Sequence, residues 1–177
     1  MERTRIGIIA GARAAIIRDG VRGLSMASVA ELGGVAKATV YNHVRSKPDL
    51  LALVARDLVD RIDTAALAAP SLVTSLAAAA RAAAADDVVR AVADDEPTVV
   101  GRLLRVLHDP VFDDARRPIA ALLDRHGVDV GAGGVNVDLV LRWVLSAAAA
   151  PGSDETRTAQ AGLLADALAR ARPEPAA

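Results

Sequence analysis

Between Met26 and Val44 the chain reads MASVAELGGVAKATVYNHV, and this stretch limits the possible folds more than any other. An apolar-periodic run capped by Ser25 stops at Gly33-Gly34, and a second short run, Val35 to Val44, begins at once. Two short helices joined by a glycine turn form a helix-turn-helix pattern. The residue types suit that geometry. Ala30 is small where the helices must touch, Gly34 is free to take a left-handed turn, and Val40 plugs the second helix into a core.

The second helix sorts its residues by face. At about 100° per residue, Ala36, Val40 and Val44 share the inward side, Ala38 and Asn42 lie opposite, and Thr39 and Tyr41 flank them. Asn42 suits adenine through two hydrogen bonds, Lys37 near the helix start suits guanine, and the methyls of Ala38 and Thr39 suit a thymine methyl. Lys37, Ala38, Thr39 and Asn42 are therefore the base-contacting candidates.

The pattern extends beyond the two helices. A first helix ends at Asp19-Gly20, followed by Gly23-Leu24-Ser25, Val29-Ala30, Gly34-Val35, Lys37 to Val44, and Ser46-Lys47-Pro48-Asp49-Leu50-Leu51. From about Thr4 to Val54 this resembles the DNA-binding domain of the TetR family of bacterial transcriptional regulators. The resemblance implies phosphate contacts from Tyr41, from Lys47 and from the first turn of the helix capped by Ser25, where free backbone amides and the helix dipole favour an anion. Ser25 and Ser28 match there by chemistry. His43, at the rim of the second helix, joins the phosphate candidates.

Charge is distributed to match. The net charge of the 177 residues is −1, yet residues 1–56 hold nine Lys/Arg against four Asp/Glu. A basic head on an acidic body is the expected footprint of a small phosphate-binding domain. Arg3 and Arg5 at the chain start could touch phosphate or the minor groove, as N-terminal arms do elsewhere.

The rest reads as helix. Alanine is abundant, aromatics make up 2%, and strand-like alternation is missing. The expected fold class is all-α, with a three-helix helix-turn-helix domain over 1–46 and a helical regulatory and dimerisation domain over 47–177. A first helix of about Thr4 to Asp19 places Ile8, Ala12 and Ile16 on one face. A capping box at Ser46 and Asp49 opens a long helix whose stripe is Leu51, Val54, Leu58, Ile62 and Ala65, running to Pro70. Further helices are expected over Ser71–Ala85, Asp86–Ala93, Thr98–His108 and Arg117–His126, the last with Pro118 in its first turn. Gly127 to Gly134 reads as a plain connector. Val137–Ala149 is apolar nearly all round, and a final helix carries Leu163, Leu164, Ala167, Leu168 and Ala171.

Cysteine is absent, which excludes disulfides and thiolate sites, and no assembled catalytic set or metal-ligand cluster is legible. No enzyme activity and no cofactor are expected. No apolar run is long enough to span a bilayer, so the expectation is a cytoplasmic chain without a membrane partner. The resemblance implies a homodimer through the last two helices, a palindromic double-stranded DNA operator, and a small-molecule effector bound in the C-terminal domain, with repression relieved by movement of the long helix. Arg105, His108 and Trp143 are the candidate pocket residues, combining apolar bodies with polar handles. The alternative is the same DNA-binding head on a body controlled by a protein partner.

Overall fold

The computed structural model describes residues 2–95, 98, 112–150 and 152–170. Regular structure among them is helical throughout: α1 (Glu2–Gly23), α2 (Met26–Leu32), α3 (Lys37–His43), α4 (Lys47–Leu67), α5 (Leu72–Ala84), α6 (Asp87–Asp95), α7 (Asp113–Arg125), a 3-10 turn (Ala132–Gly134), α8 (Val135–Ala149) and α9 (Asp154–Arg170). The expected all-α class holds. No described helix is long and apolar enough to cross a membrane. The chain divides into two compact units, Met1–Leu58 with Asp86–Arg102, and Val59–Ala85 with Leu103–Ala177.

In the first unit, α1 buries Ile8, Ala12, Ala15 and Ile16 as its spacing requires, and Leu24, Val29, Val40, Val44, Leu50 and Val54 close the core around them. Gly20 (φ 72°, ψ 172°) interrupts α1 where the sequence placed its end, and a last turn runs on to Gly23. Helices α1 and α2 approach at backbone distance: a Cβ on Gly11 would sit 2.3 Å from the Val29 carbonyl oxygen, and one on Gly33 would sit 2.4 Å from that of Gly7. Only glycine fits such a seam.

Helix α6 belongs to this unit, with Val88 buried in the same core and Val92 packed on it. Its cap is Asp86, whose Oδ1 accepts from the Val88 and Val89 amides at 3.0 and 3.1 Å. The other oxygen accepts from Arg13 Nη2 of α1 at 2.7 Å. Asp57 of α4 stands 3.6 Å from Arg13 Nη1. One guanidinium thus ties three helices.

The second unit is built on α5. Its capping box pairs Ser71 with Thr74, and it buries Ser75, Leu76, Ala77, Ala79, Ala80 and Ala83. Both α8 and α9 pack chiefly on α5 rather than on each other. Alanine explains this, because helices meeting at small side chains approach closely. Helix α8 buries Val137, Val140, Leu141, Val144 and Ala147, and α9 buries Ala161, Ala165 and Leu168.

Two sequence expectations are revised. The stripe on α4 is centred differently, with Leu50, Val54 and Ala66 fully buried and Leu51, Leu58, Ile62 and Ala65 half-buried, because the helix packs against both cores and has no single inward line. Helix α7 begins at Asp113, so Pro118 lies in the second turn and removes a bond to the Asp114 carbonyl instead of replacing an orphan amide. On α9, Leu163 is 72% exposed. The helix expected over 98–108 lies outside the described residues, apart from residue 98.

Candidate nucleic-acid interface

Helix α2 starts on a reciprocal cap. The Ser25 Oγ accepts from the Ser28 amide at 3.1 Å, and the Ser28 Oγ accepts from the Ser25 amide at 3.2 Å. Ser28 is buried and also donates to the Ser25 carbonyl at 2.9 Å, so its hydroxyl faces the cap. Ser25 is exposed at the helix start. Gly33 closes α2 and Gly34 turns the chain with φ +61°. That turn delivers the first residue of α3.

Val40 and Val44 anchor α3, 0% and 5% exposed. Lys37, Ala38, Tyr41, Asn42 and His43 are exposed, and Thr39 is half-buried between the two sides. The sequence-predicted base-contacting residues thus share the outer surface of one short helix. Ala36 does not follow its expected face: it is exposed, and Val35 packs on the core in its place. The cause is backbone conformation. Ala36 caps α3 in an extended state (φ −65°, ψ 142°), so a helical projection does not apply to it.

Beyond α3 the chain passes through extended Val44 (φ −138°, ψ 132°) to the start of α4. Ser46 Oγ accepts from the Asp49 amide at 3.2 Å, but the Asp49 carboxylate accepts from the Arg45 amide, also at 3.2 Å, rather than from Ser46. Lys47 is half-buried, and its Nζ donates to the Arg22 carbonyl at 2.7 Å. Arg45, exposed and unremarked in the sequence reading, sits beside it.

The cations of the head are not equally available. Arg13 is held by Asp86, and Arg18 bonds its neighbour Asp19 at 2.8 and 2.9 Å, a hydrogen bond that holds the Asp19 carboxyl below its ordinary range. With α6 included, the first unit carries eleven Lys/Arg against ten Asp/Glu. The basic excess is local to the segment around α3.

In the second unit, Trp143 is half-buried against the core, and its indole Nε1 is buried with no acceptor among the described residues. Arg105 and His108 lie outside those residues. Asp63 of α4 titrates above its ordinary range because of partial burial and the neighbouring Asp60 charge. The 127–134 connector lines an open cleft of about 400 Å³ with α7 and α8, where Arg116 bridges Asp113 and Asp138 at 3.2 and 3.1 Å. No group of three His, Cys, Asp or Glu among the described residues could hold a metal ion.

Residues 8–54 match the family model described as bacterial regulatory proteins, tetR family. No curated protein matches significantly. Solved structures align along nearly the whole chain. The TetR family repressor AlkX from Dietzia sp., implicated in biodegradation of n-alkanes, is 16% identical with a TM-score of 0.66, over 94% of this chain and 95% of that one. The multidrug binding protein EbrR, complexed with imidazole, is 21% identical with a TM-score of 0.62, over 97% and 96%. The transcriptional repressor QsdR of R. erythropolis is 18% identical with a TM-score of 0.61, over 99% and 100%. At these identities the likeness is one of fold.

Proposed function

We propose that this chain, which belongs to the TetR family of bacterial regulatory proteins, is a ligand-responsive repressor that binds a palindromic operator as a homodimer. The observation that carries the reading is the outer face of α3, an exposed hydrogen-bonding surface on a helix anchored by buried Val40 and Val44. Lys37, Ala38, Thr39 and Asn42 read base edges in the major groove. Tyr41 and His43 take backbone phosphates, and Ser25 presents the α2 amides to another.

What α8 and α9 leave uncovered supports the dimer. Val135, Leu139 and Leu163 are large, apolar and exposed, and a two-fold pairing of these helices would bury them. Two heads then meet two half-sites one helical turn apart. The effector belongs to the second unit. Trp143 contributes a buried indole N–H with no acceptor among the described residues, and a small molecule carrying a hydrogen-bond acceptor would satisfy it. Multidrug binding in EbrR supports such a use of the fold. To relieve repression, the effector must bind the DNA-incompetent state more tightly than the competent one.

The test is selection from random duplex DNA with purified protein. A two-fold symmetric site should be enriched, and Asn42→Ala and Lys37→Ala should relax base preference by about 1–3 kcal/mol at their positions. Unchanged base preference in both variants would reject the base-reading assignment. Leu163→Glu should shift the protein toward monomer in sedimentation velocity and weaken operator binding. An unchanged dimer would place the interface elsewhere.

A further inference from the structure

We propose that Lys47 positions the reading head by tying the start of α4 to the end of α1, and that Arg45 makes the phosphate contact at this edge of it. The proposal rests on the DNA-binding reading above. The ammonium of Lys47 donates to the carbonyl of Arg22 at 2.7 Å, in the last turn of α1. Carbonyls at a helix end lack intrahelical partners and carry the negative end of the dipole, so a lysine there is well matched. This bond spans 25 residues and links the first turn of α4 to the segment that leads into α2. Moving Nζ to a phosphate would uncap α1, at the cost of a charge-assisted hydrogen bond.

Arg45 has the opposite placement. Val44 is extended and buried, and the chain bends at Arg45 and Ser46 before α4 begins. Arg45, two residues beyond His43 at the end of α3, is exposed. Its backbone is fixed, because the Asp49 carboxylate accepts from its amide at 3.2 Å. A guanidinium on a fixed backbone, beside the base-reading helix, can grip a phosphate through two parallel hydrogen bonds.

The experiment measures affinity of the full chain for its selected duplex against salt concentration, for wild type, Arg45→Ala, Lys47→Met and Lys47→Arg, at a temperature where circular dichroism shows each variant folded. Arg45→Ala should lower the slope of log K against log salt by about one unit with its melting temperature unchanged. Lys47→Met should weaken binding several-fold with the slope unchanged, and Lys47→Arg, which keeps a donor for the Arg22 carbonyl, should recover most of that affinity. A slope loss in Lys47→Met, or none in Arg45→Ala, overturns the proposal. If wild type binds no duplex with a measurable salt slope, the DNA-binding reading fails and the proposal with it. That result is distinct from wild-type binding with the slopes assigned to the other residue.

Discussion

Asp86→Ala should destabilise the DNA-binding unit by about 3 kcal/mol or more, since removing one partner of a buried ion pair typically costs about 3–5 kcal/mol. The Asp86 side chain is 3% exposed and Arg13 17% exposed, so the guanidinium stranded by the change has little access to water. Asp57 offers partial compensation at 3.6 Å, which argues for the lower end of the range. The same substitution removes the side-chain cap of α6, worth about 1 kcal/mol. Asp86→Asn separates the two losses, because the amide oxygen still caps α6 while the charge is gone. Denaturant unfolding supplies the totals, and hydrogen exchange of α1 and α6 amides shows whether the loss is local to this unit. A cost under about 1 kcal/mol for Asp86→Ala would mean that Arg13 is solvated in solution and that the three-helix tie is not energetically significant.

That tie also shows where sequence reading stops. Asp86 and Asp87 are adjacent acids that part at the start of α6: Asp87 pairs with Arg90 at the surface, whereas Asp86, the cap, turns inward. Nothing local says that the inward one meets an arginine 73 residues earlier. The helix-turn-helix was legible because its rules are local: Ala30, Gly34 and Val40 each satisfy a steric demand set within a few residues. Face assignment worked for Val40, Val44 and Asn42 and failed for Ala36, which lies one residue before the helical backbone begins. The role of α5 was hidden for another reason. Its buried face, Ser75, Leu76, Ala79, Ala80 and Ala83, follows helical spacing, but with alanine at most of these positions the pattern does not tell that α8 and α9 both pack on it. The same limit applies to Arg45 and Lys47. The hydrogen bond from Lys47 to the Arg22 carbonyl is a long-range contact that composition cannot reveal.

Gly11→Val should be the most damaging single substitution on α1, although valine is the better helix former in isolation. In an unobstructed helical site, replacing glycine gains several tenths of a kcal/mol or more from the unfolded chain's lost freedom. Gly162 in α9 is such a site, with nothing within 4 Å of a built Cβ, and Gly162→Ala should raise the melting temperature. At Gly11 the added carbon meets Val29 O at 2.3 Å, Gly33 N at 2.7 Å and Gly33 Cα at 2.8 Å. All three are backbone atoms that no rotamer change can move aside. Helix α2 must therefore shift away from α1, opening the interface that covers Ala12 and Val29, and strain from overpacking of this kind typically costs about 1–3 kcal/mol. The branched γ-carbons of valine add to that. The functional loss should exceed the loss of stability, because α3 follows α2 through the Gly33-Gly34 turn, packs with it in the same core and shifts with it. Gly11→Ala, the milder change, separates the two effects: it should leave helical content near wild type by circular dichroism and still weaken operator binding at least several-fold. Wild-type affinity in Gly11→Ala would show that α2 can shift without carrying α3, and the glycine seam would then matter for stability alone.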